Sequence, residues 1–314
     1  MRIAFVFPGQ GSQYVGMGEE LYHNFPKARQ VFDEADRVLN FPLRELCFRG
    51  PKEELQKTVN TQPAVLTTSI ACLRVLQDEG VKPHVVAGHS LGEYSALVCS
   101  GALAFGNAVK VVRERGRLMQ DAVPLGTGGM LAVLGLDRKT LGEVCHKASD
   151  AGIIEMANFN CPGQIVLAGE LAALEKAVEL AKKAGAKRSV MLAVSGSFHS
   201  SMMRGAGERL AQVLENVRVK NPQIPVVANV SGEEVKTAAQ VRASLVRQIY
   251  NPVLWEESVR YMMQEFGVNL FVEVGPGKVL SGLVRKIGGK DIQVTNVEDL
   301  ASLEKTLALL RGVG

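Results

Sequence analysis

Gly88-His89-Ser90-Leu91-Gly92 lies between a short apolar, β-branched run, His84-Val85-Val86-Ala87, and a stretch of small and apolar residues, Glu93-Tyr94-Ser95-Ala96-Leu97-Val98-Cys99. The first run reads as a buried strand and the second as a tightly packed helix. A G-x-S-x-G at such a junction is a nucleophile elbow. The glycines permit a sharp turn that side chains would block, so the serine hydroxyl stands exposed above a helix N-terminus. The helix dipole and free N–H groups there favour a developing oxyanion. The spacing alone carries little, since 16 serines and 32 glycines in 314 residues give about 0.2 such matches by chance. The strand–turn–helix context makes it specific.

A serine nucleophile needs a base. His199, in Gly196-Ser197-Phe198-His199-Ser200, follows one predicted strand and precedes a helix. Without Ser90, a helix-capping or surface histidine would be the favoured reading of it. His89 adjoins the serine and is expected to point away from it at the turn, while His23, His84 and His146 fall in surface or packing patterns. The histidines have no metal-ligand spacing, and no metal is expected. Cys47, Cys72, Cys99, Cys145 and Cys161 are odd in number and lack C-x-x-C spacing. They read as reduced structural thiols.

Two further residues could bear on the substrate. On a helical wheel over 107–121, Ala108, Val111, Val112, Leu118 and Met119 share one face, and Lys110, Arg113, Glu114 and Arg117 the other. Arg115 lands in the middle of the apolar face. A guanidinium buried there costs several kcal/mol unless an anion meets it. That anion is either an internal Asp or Glu, or a carboxylate on the substrate gripped bidentately. The glycine-rich turn Phe7-Pro8-Gly9-Gln10-Gly11-Ser12-Gln13 lacks the G-K-[ST] of a P-loop and the spacing of G-x-G-x-x-G. In a parallel sheet it lies on the same edge as the elbow, so Gln10 and the backbone N–H of Leu91 are expected to form the oxyanion hole.

The elements that must position these residues follow from periodicity. Strands are predicted at 3–7, 84–88, 226–230, 270–274 and 292–295, with helices at 27–39, 62–79, 90–100, 107–121, 201–216, 241–249, 252–266, 279–287 and 300–310. Short apolar strands alternating with helices predict an α/β fold with a largely parallel sheet covered on both faces. One stretch breaks the rhythm: strand 130–134, helix 139–149, strand 153–158, strand 165–168, helix 171–184 and strand 189–194. This β-α-β-β-α-β order predicts a ferredoxin-like subdomain at 126–196, inserted into a larger domain of 1–125 and 197–314. Gly126-Thr127-Gly128-Gly129 and Ser195-Gly196-Ser197 are its expected hinges, and the cleft between the units its expected site.

Hydrophobic residues make up 46% of the chain and charged ones 22%, an ordinary globular composition. No apolar stretch approaches the roughly 18–20 residues of a membrane span. The chain opens directly on a strand without a signal-peptide pattern, so a cytoplasmic protein is expected. The net charge of +4 comes without long basic runs and with only 5% aromatics, which argues against nucleic acid.

The landmarks taken together resemble the malonyl-coenzyme A:acyl carrier protein transacylases. They are the Phe7–Gln13 turn, Thr61-Gln62-Pro63-Ala64, Gly88-His89-Ser90-Leu91-Gly92-Glu93, Arg115-Gly116-Arg117-Leu118-Met119, Ala157-Asn158-Phe159-Asn160-Cys161-Pro162-Gly163-Gln164, Ser197-Phe198-His199-Ser200 and Gly275-Pro276-Gly277. They run in order over essentially the whole chain. The resemblance implies a hydrolase-like core with a ferredoxin-like insert. It implies that Ser90 is acylated, that His199 is its base, and that Arg115 grips the malonyl carboxylate. Gln10 and the Leu91 backbone would stabilise the oxyanion. Gln248 matches the position whose main-chain carbonyl orients the histidine in place of an acidic residue. Phe198 matches the position that restricts an α-methyl group, and Gln62 and Asn160 fall at substrate-binding positions.

The implied reaction is ping-pong transfer of malonyl from malonyl-CoA to the phosphopantetheine thiol of acyl carrier protein, with no cofactor. The expected partners are therefore acyl carrier protein and coenzyme A, bound by a monomer, with Lys182, Lys183, Lys187, Arg188, Arg285 and Lys286 as candidate docking charges. A serine hydrolase or thioesterase shares the elbow, but it would want an acid between serine and histidine. The carrier could also serve polyketide synthesis. A silent scaffold would not need Ser90, His199 and Arg115 together. The chain begins and ends at the boundaries of the implied fold, which favours a discrete enzyme over a fragment of a megasynthase.

Overall fold

Ile3–Phe7 (β1) forms the middle of a sheet because both of its faces are apolar and covered. Phe5 and Phe7 enter one core with Leu66, Ile70 and Leu73 of the Thr58–Asp78 helix, whereas Ala4 and Val6 enter a second core with Trp255, Phe271 and Leu283. The period of two that sends alternate side chains to opposite faces continues in Val85–Gly88 (β2), where Val86 joins the first core and Val85 and Ala87 the second. The computed structural model describes residues 1–124, 126–194 and 196–312.

The other strands are Gly128–Leu134 (β3), Ile154–Cys161 (β4), Gln164–Glu170 (β5), Arg188–Met191 (β6), Val226–Val227 (β7), Glu234–Val235 (β8), Leu270–Val274 (β9) and Gln293–Val297 (β10). The larger sheet has the order β10-β9-β1-β2-β7-β8 and is parallel except for the β7–β8 pair. The C-terminal ends of β1, β2, β7 and β9 therefore share one edge, where Phe7 pairs with Gly88. This edge gathers the loops that carry Gln10, Ser90 and Asn229.

The smaller sheet has the order β4-β5-β3-β6, and every pairing is antiparallel. The Arg138–Ala148 and Leu171–Lys183 helices cover one face, with Leu131, Val133, Leu141, Leu167 and Leu174 between them. Met130, Val166 and Ala168 on the opposite face pack against the first core of the larger sheet. All of these elements fall between Gly128 and Met191. Leu125 and Ser195, at the expected joins, lie outside the described residues.

Several expected boundaries are corrected. The strand expected at 226–230 ends at Val227, because the Asn229 side chain is committed to the neighbouring turn. The helix expected from Ser90 begins at Gly92, because Ser90 has a φ of +52°, outside the helical region. The helix expected from Gln62 begins at Thr58 and carries Pro63 inside its second turn. The short Glu19–Asn24, Leu43–Arg49 and Lys52–Gln56 helices and the two-residue β8 carry too little periodicity to be read from sequence. No described helix is long and apolar enough to cross a membrane.

Close backbone approach explains the glycines of the elbow. A Cβ on Gly92 would lie 2.0 Å from the Phe7 carbonyl oxygen, and one on Gly88 would lie 1.9 Å from the Gly92 carbonyl carbon. Gly92→Ala must therefore push the helix off β1. It should cost about 3 kcal/mol, at the upper end of ordinary overpacking, and lower Tm by several degrees. A melting curve coincident with the parent's would mean that β1 and the helix part freely.

Candidate active site

Ser90 holds its left-handed backbone because Asn229 clamps the turn. The Asn229 Oδ1 accepts from the Ser90 N–H at 2.6 Å and its Nδ2 donates to the Gly88 carbonyl at 2.7 Å, while its own backbone N–H donates to Glu93 Oε2 at 2.9 Å. A non-glycine residue in this region costs on the order of 1–2 kcal/mol and needs such support. Asn229 was not singled out in the sequence. An asparagine within a predicted buried strand at the C-terminal sheet edge was the signal available.

The His199 Nε2 lies 2.8 Å from Ser90 Oγ, and Nδ1 lies 2.7 Å from the main-chain carbonyl of Gln248. A carbonyl can only accept, so Nδ1 carries the hydrogen and Nε2 is left as the acceptor for the serine hydroxyl. His199 is itself at a φ of +61° and is buried. Burial, with the nearby Arg115 charge adding to it, pushes the imidazole pKa down to about 3. The ring is thus neutral at neutral pH, in the form able to take a proton.

Arg115 is 1% exposed, and three neutral oxygens meet its guanidinium. These are Gln62 Oε1 at 2.8 Å, Gln248 Oε1 at 2.9 Å and Ser90 Oγ at 3.1 Å. Of the two partners left open by the sequence, the internal one is not found: among the described residues no carboxylate forms a salt bridge with Arg115. Its Nε has no partner there either. Burial lowers its pKa, opposed in part by Tyr94 and Glu93. The Glu93 carboxyl is pushed up to about 7, again mainly by burial. Glu93 belongs to the quoted motif, yet no role was read for it. A single acid on an otherwise apolar helix was the available sign.

Ser90, His199 and Arg115 open on a cavity of about 220 Å³ between the two sheets. Gln10, Leu91, Gln62, Asn160 and Phe198 all line it. The Gln10 amide is turned to Thr58 Oγ1 at 3.3 Å, so a role at an oxyanion falls to its main chain. Among the described residues nothing accepts from the backbone N–H of Gln10 or Leu91. Gln62 serves Arg115, as above. Asn160 Oδ1 accepts from His89 Nε2 at 2.9 Å, which ties β4 to the elbow. His89 thus faces the smaller sheet, with its ring edge-on to Trp255. Met130 and Val166 of the smaller sheet add apolar wall.

A protein family described as the acyl transferase domain matches residues 4–305. A malonyl CoA-acyl carrier protein transacylase of Bacillus subtilis is 48% identical over 311 residues, which cover 99% of this chain and 98% of that one. The chain belongs to the acyl transferase domain family, within the malonyl CoA-acyl carrier protein transacylases. The crystal structure of a transacylase of this name from Clostridium perfringens superposes with a TM-score of 0.96 at 46% identity, covering 100% of this chain and 98% of that one. A malonyl-transacylase solved in complex with a type II PKS acyl-carrier protein matches with a TM-score of 0.95 at 46% identity, covering 98% and 100%. The transacylase family therefore includes a member seen holding a carrier protein.

The buried imidazole also has a consequence for stability. An unfolded histidine titrates near pH 6.5, whereas the fold keeps His199 neutral down to about pH 3. As pH falls below about 6.5 the unfolded state gains a proton that the folded state refuses, so stability drains away. Asparagine tolerates the left-handed backbone. Between pH 7.5 and 5 the parent should therefore lose about 2 kcal/mol more than His199→Asn. Urea unfolding at the two pH values measures this, and shifts at His89, Glu93 and Glu273 cancel in the difference. Equal losses would mean that His199 titrates normally.

Proposed function

We propose that this chain moves a malonyl group from malonyl-CoA to the phosphopantetheine thiol of an acyl carrier protein, by way of an ester on Ser90. The observation that carries the reading is Arg115, a buried guanidinium with no carboxylate partner among the described residues, 3.1 Å from the Ser90 oxygen. A carboxylate on the acyl group would complete its charge, and a malonyl thioester carries one a short reach from the carbonyl under attack. The architecture that serves this is a hydrolase-like core formed by 1–125 and 197–314, with a ferredoxin-like subdomain inserted at 126–196.

In the first half-reaction His199 Nε2 takes the proton as Ser90 Oγ attacks the thioester carbonyl. The main-chain N–H groups of Gln10 and Leu91 receive the oxyanion, each worth about 3–4 kcal/mol. The imidazolium returns its proton to the departing thiolate of coenzyme A. The Gln248 carbonyl keeps Nδ1 protonated throughout. In the second half-reaction the carrier's thiol gives its proton to His199 and attacks the ester, and the proton then returns to Ser90. The transfer balances without a metal or redox group. Gln62 holds Arg115 at the acyl subsite, Asn160 borders the thioester chain, and Phe198 narrows the space beside the malonyl α-carbon. Lys182, Lys183, Lys187, Arg188, Arg285 and Lys286 are exposed, and none is in a salt bridge among the described residues. They offer positive potential to an acidic carrier. Supply of extender units for fatty acid synthesis is the role this activity fits.

Incubation with malonyl-CoA followed by peptide mapping should place the acyl group on the Ser90 peptide, and Ser90→Ala should take up none. Arg115→Ala should lose malonyl transfer by about 100-fold or more in kcat/KM, while acetyl-CoA, which lacks the carboxylate, becomes a relatively better substrate. Tm should move little, because no internal charge is stranded. An Arg115→Ala protein that still prefers malonyl-CoA as strongly as the parent would defeat the reading.

A further inference from the structure

Glu93 is a buried carboxyl that the scheme above leaves unused. It sits three residues after Ser90, is 1% exposed, and gives one oxygen to two donors. The Asn229 backbone N–H and the Gln248 Nε2 both reach Oε2 at 2.9 Å. The Gln248 amide is fully buried, and each of its ends is committed. Its NH2 group donates to Glu93 and to the Ser90 carbonyl at 3.0 Å, and its Oε1 accepts from Arg115 at 2.9 Å. Turned over by 180°, the same amide would set its NH2 against the guanidinium, donor against donor. Its oxygen would then face Glu93 and the Ser90 carbonyl, acceptor against acceptors. Glu93 Oε2, the Ser90 carbonyl and Arg115 together fix which way the amide lies, and of the three Glu93 is the one whose only part in the transfer is that orientation.

We infer that Glu93 is a positioning residue for malonyl transfer, locking the Gln248 amide so that Arg115 is held over Ser90. It touches no reacting atom and acts through Gln248. The lock also joins the two halves of the site. The Gln248 side chain sets the cation, and its main-chain carbonyl sets His199. Loss of Glu93 removes one of the acceptors that hold the side chain, whereas the carbonyl is retained by the backbone of the Ala238–Gln248 helix. The damage therefore falls on the carboxylate-bearing substrate.

The inference rests on the proposed malonyl transfer, and the two are tested apart. The parent protein is first malonylated and mapped; absence of acyl on the Ser90 peptide defeats both. Then kcat/KM for malonyl-CoA and acetyl-CoA is measured on Glu93→Leu and Glu93→Gln. Glu93→Leu should lose about 10–100-fold on malonyl-CoA, as expected of a slightly misplaced binding group, and no more than about threefold on acetyl-CoA. Glu93→Gln, whose carbonyl oxygen can accept from both donors, should recover most of the malonyl preference. If Glu93→Leu does not fold, Glu93→Met, which keeps the side chain's length and removes both oxygens, must produce the same selective loss. Equal losses on both thioesters, or a Glu93→Gln as poor as Glu93→Leu, would overturn the lock and leave Glu93 a purely structural acid.

Discussion

Burying the Arg115 guanidinium beside Ser90 costs several kcal/mol, and among the described residues no carboxylate offsets it directly. What the site supplies instead is two amide oxygens, Gln62 and Gln248, with Glu93 one hydrogen bond further out. Neutral acceptors satisfy the donors without cancelling the charge. An ion pair would have stabilised the empty protein and spent the cation. Keeping the charge uncancelled makes it available to an incoming anion, in a cavity where low dielectric strengthens the attraction. The fold bears that cost through two apolar cores on either side of a parallel sheet.

The same charge shapes the base. An acid hydrogen-bonded to the histidine would raise its pKa and answer Arg115 as well. A main-chain carbonyl fixes the tautomer and adds no charge. Burial and the nearby cation then keep the imidazole neutral far into acid. A neutral base beside a buried cation is consistent, whereas a protonated one would set two positive groups around one serine oxygen. Among the described residues, a histidine without an acidic partner and an arginine without an ion pair thus fit one electrostatic logic.

Much of this was legible in the chain. The elbow announces itself because the glycines flanking Ser90 mark a close backbone approach in a local pattern of strand, turn and helix. Arg115 stands out because a charge on an apolar stripe violates helical periodicity. Gln62, Gln248 and Phe198 carry no such local anomaly and were reached only through family resemblance. Asn229 and the office of Glu93 escaped altogether. Their effect depends on bonds to residues 139 and 155 positions away in sequence, which no local period reports. The sheet orders were equally out of reach of periodicity, because β1 finds its neighbours in strands that begin at Val85 and Leu270.

The two sheets contribute unequally. Ser90, Arg115, His199, Gln62 and Gln248 all come from elements built on or around the larger sheet, so their geometry is set by one rigid edge. The smaller sheet brings apolar wall from Met130 and Val166, and polar ties to both halves of the serine–histidine pair: Asn160 to His89, Gly169 to Ser197 and Glu155 to Ser201. The first meets the residue immediately before the nucleophile, and the other two lie two residues to either side of His199. Any change in how the smaller sheet sits would reach the elbow through His89 and the base through Ser197 and Ser201. Chemistry and enclosure are thereby coupled across the two sheets. The side chains that set the space around the thioester take no part in proton transfer, yet their sheet also holds the turn that carries the base.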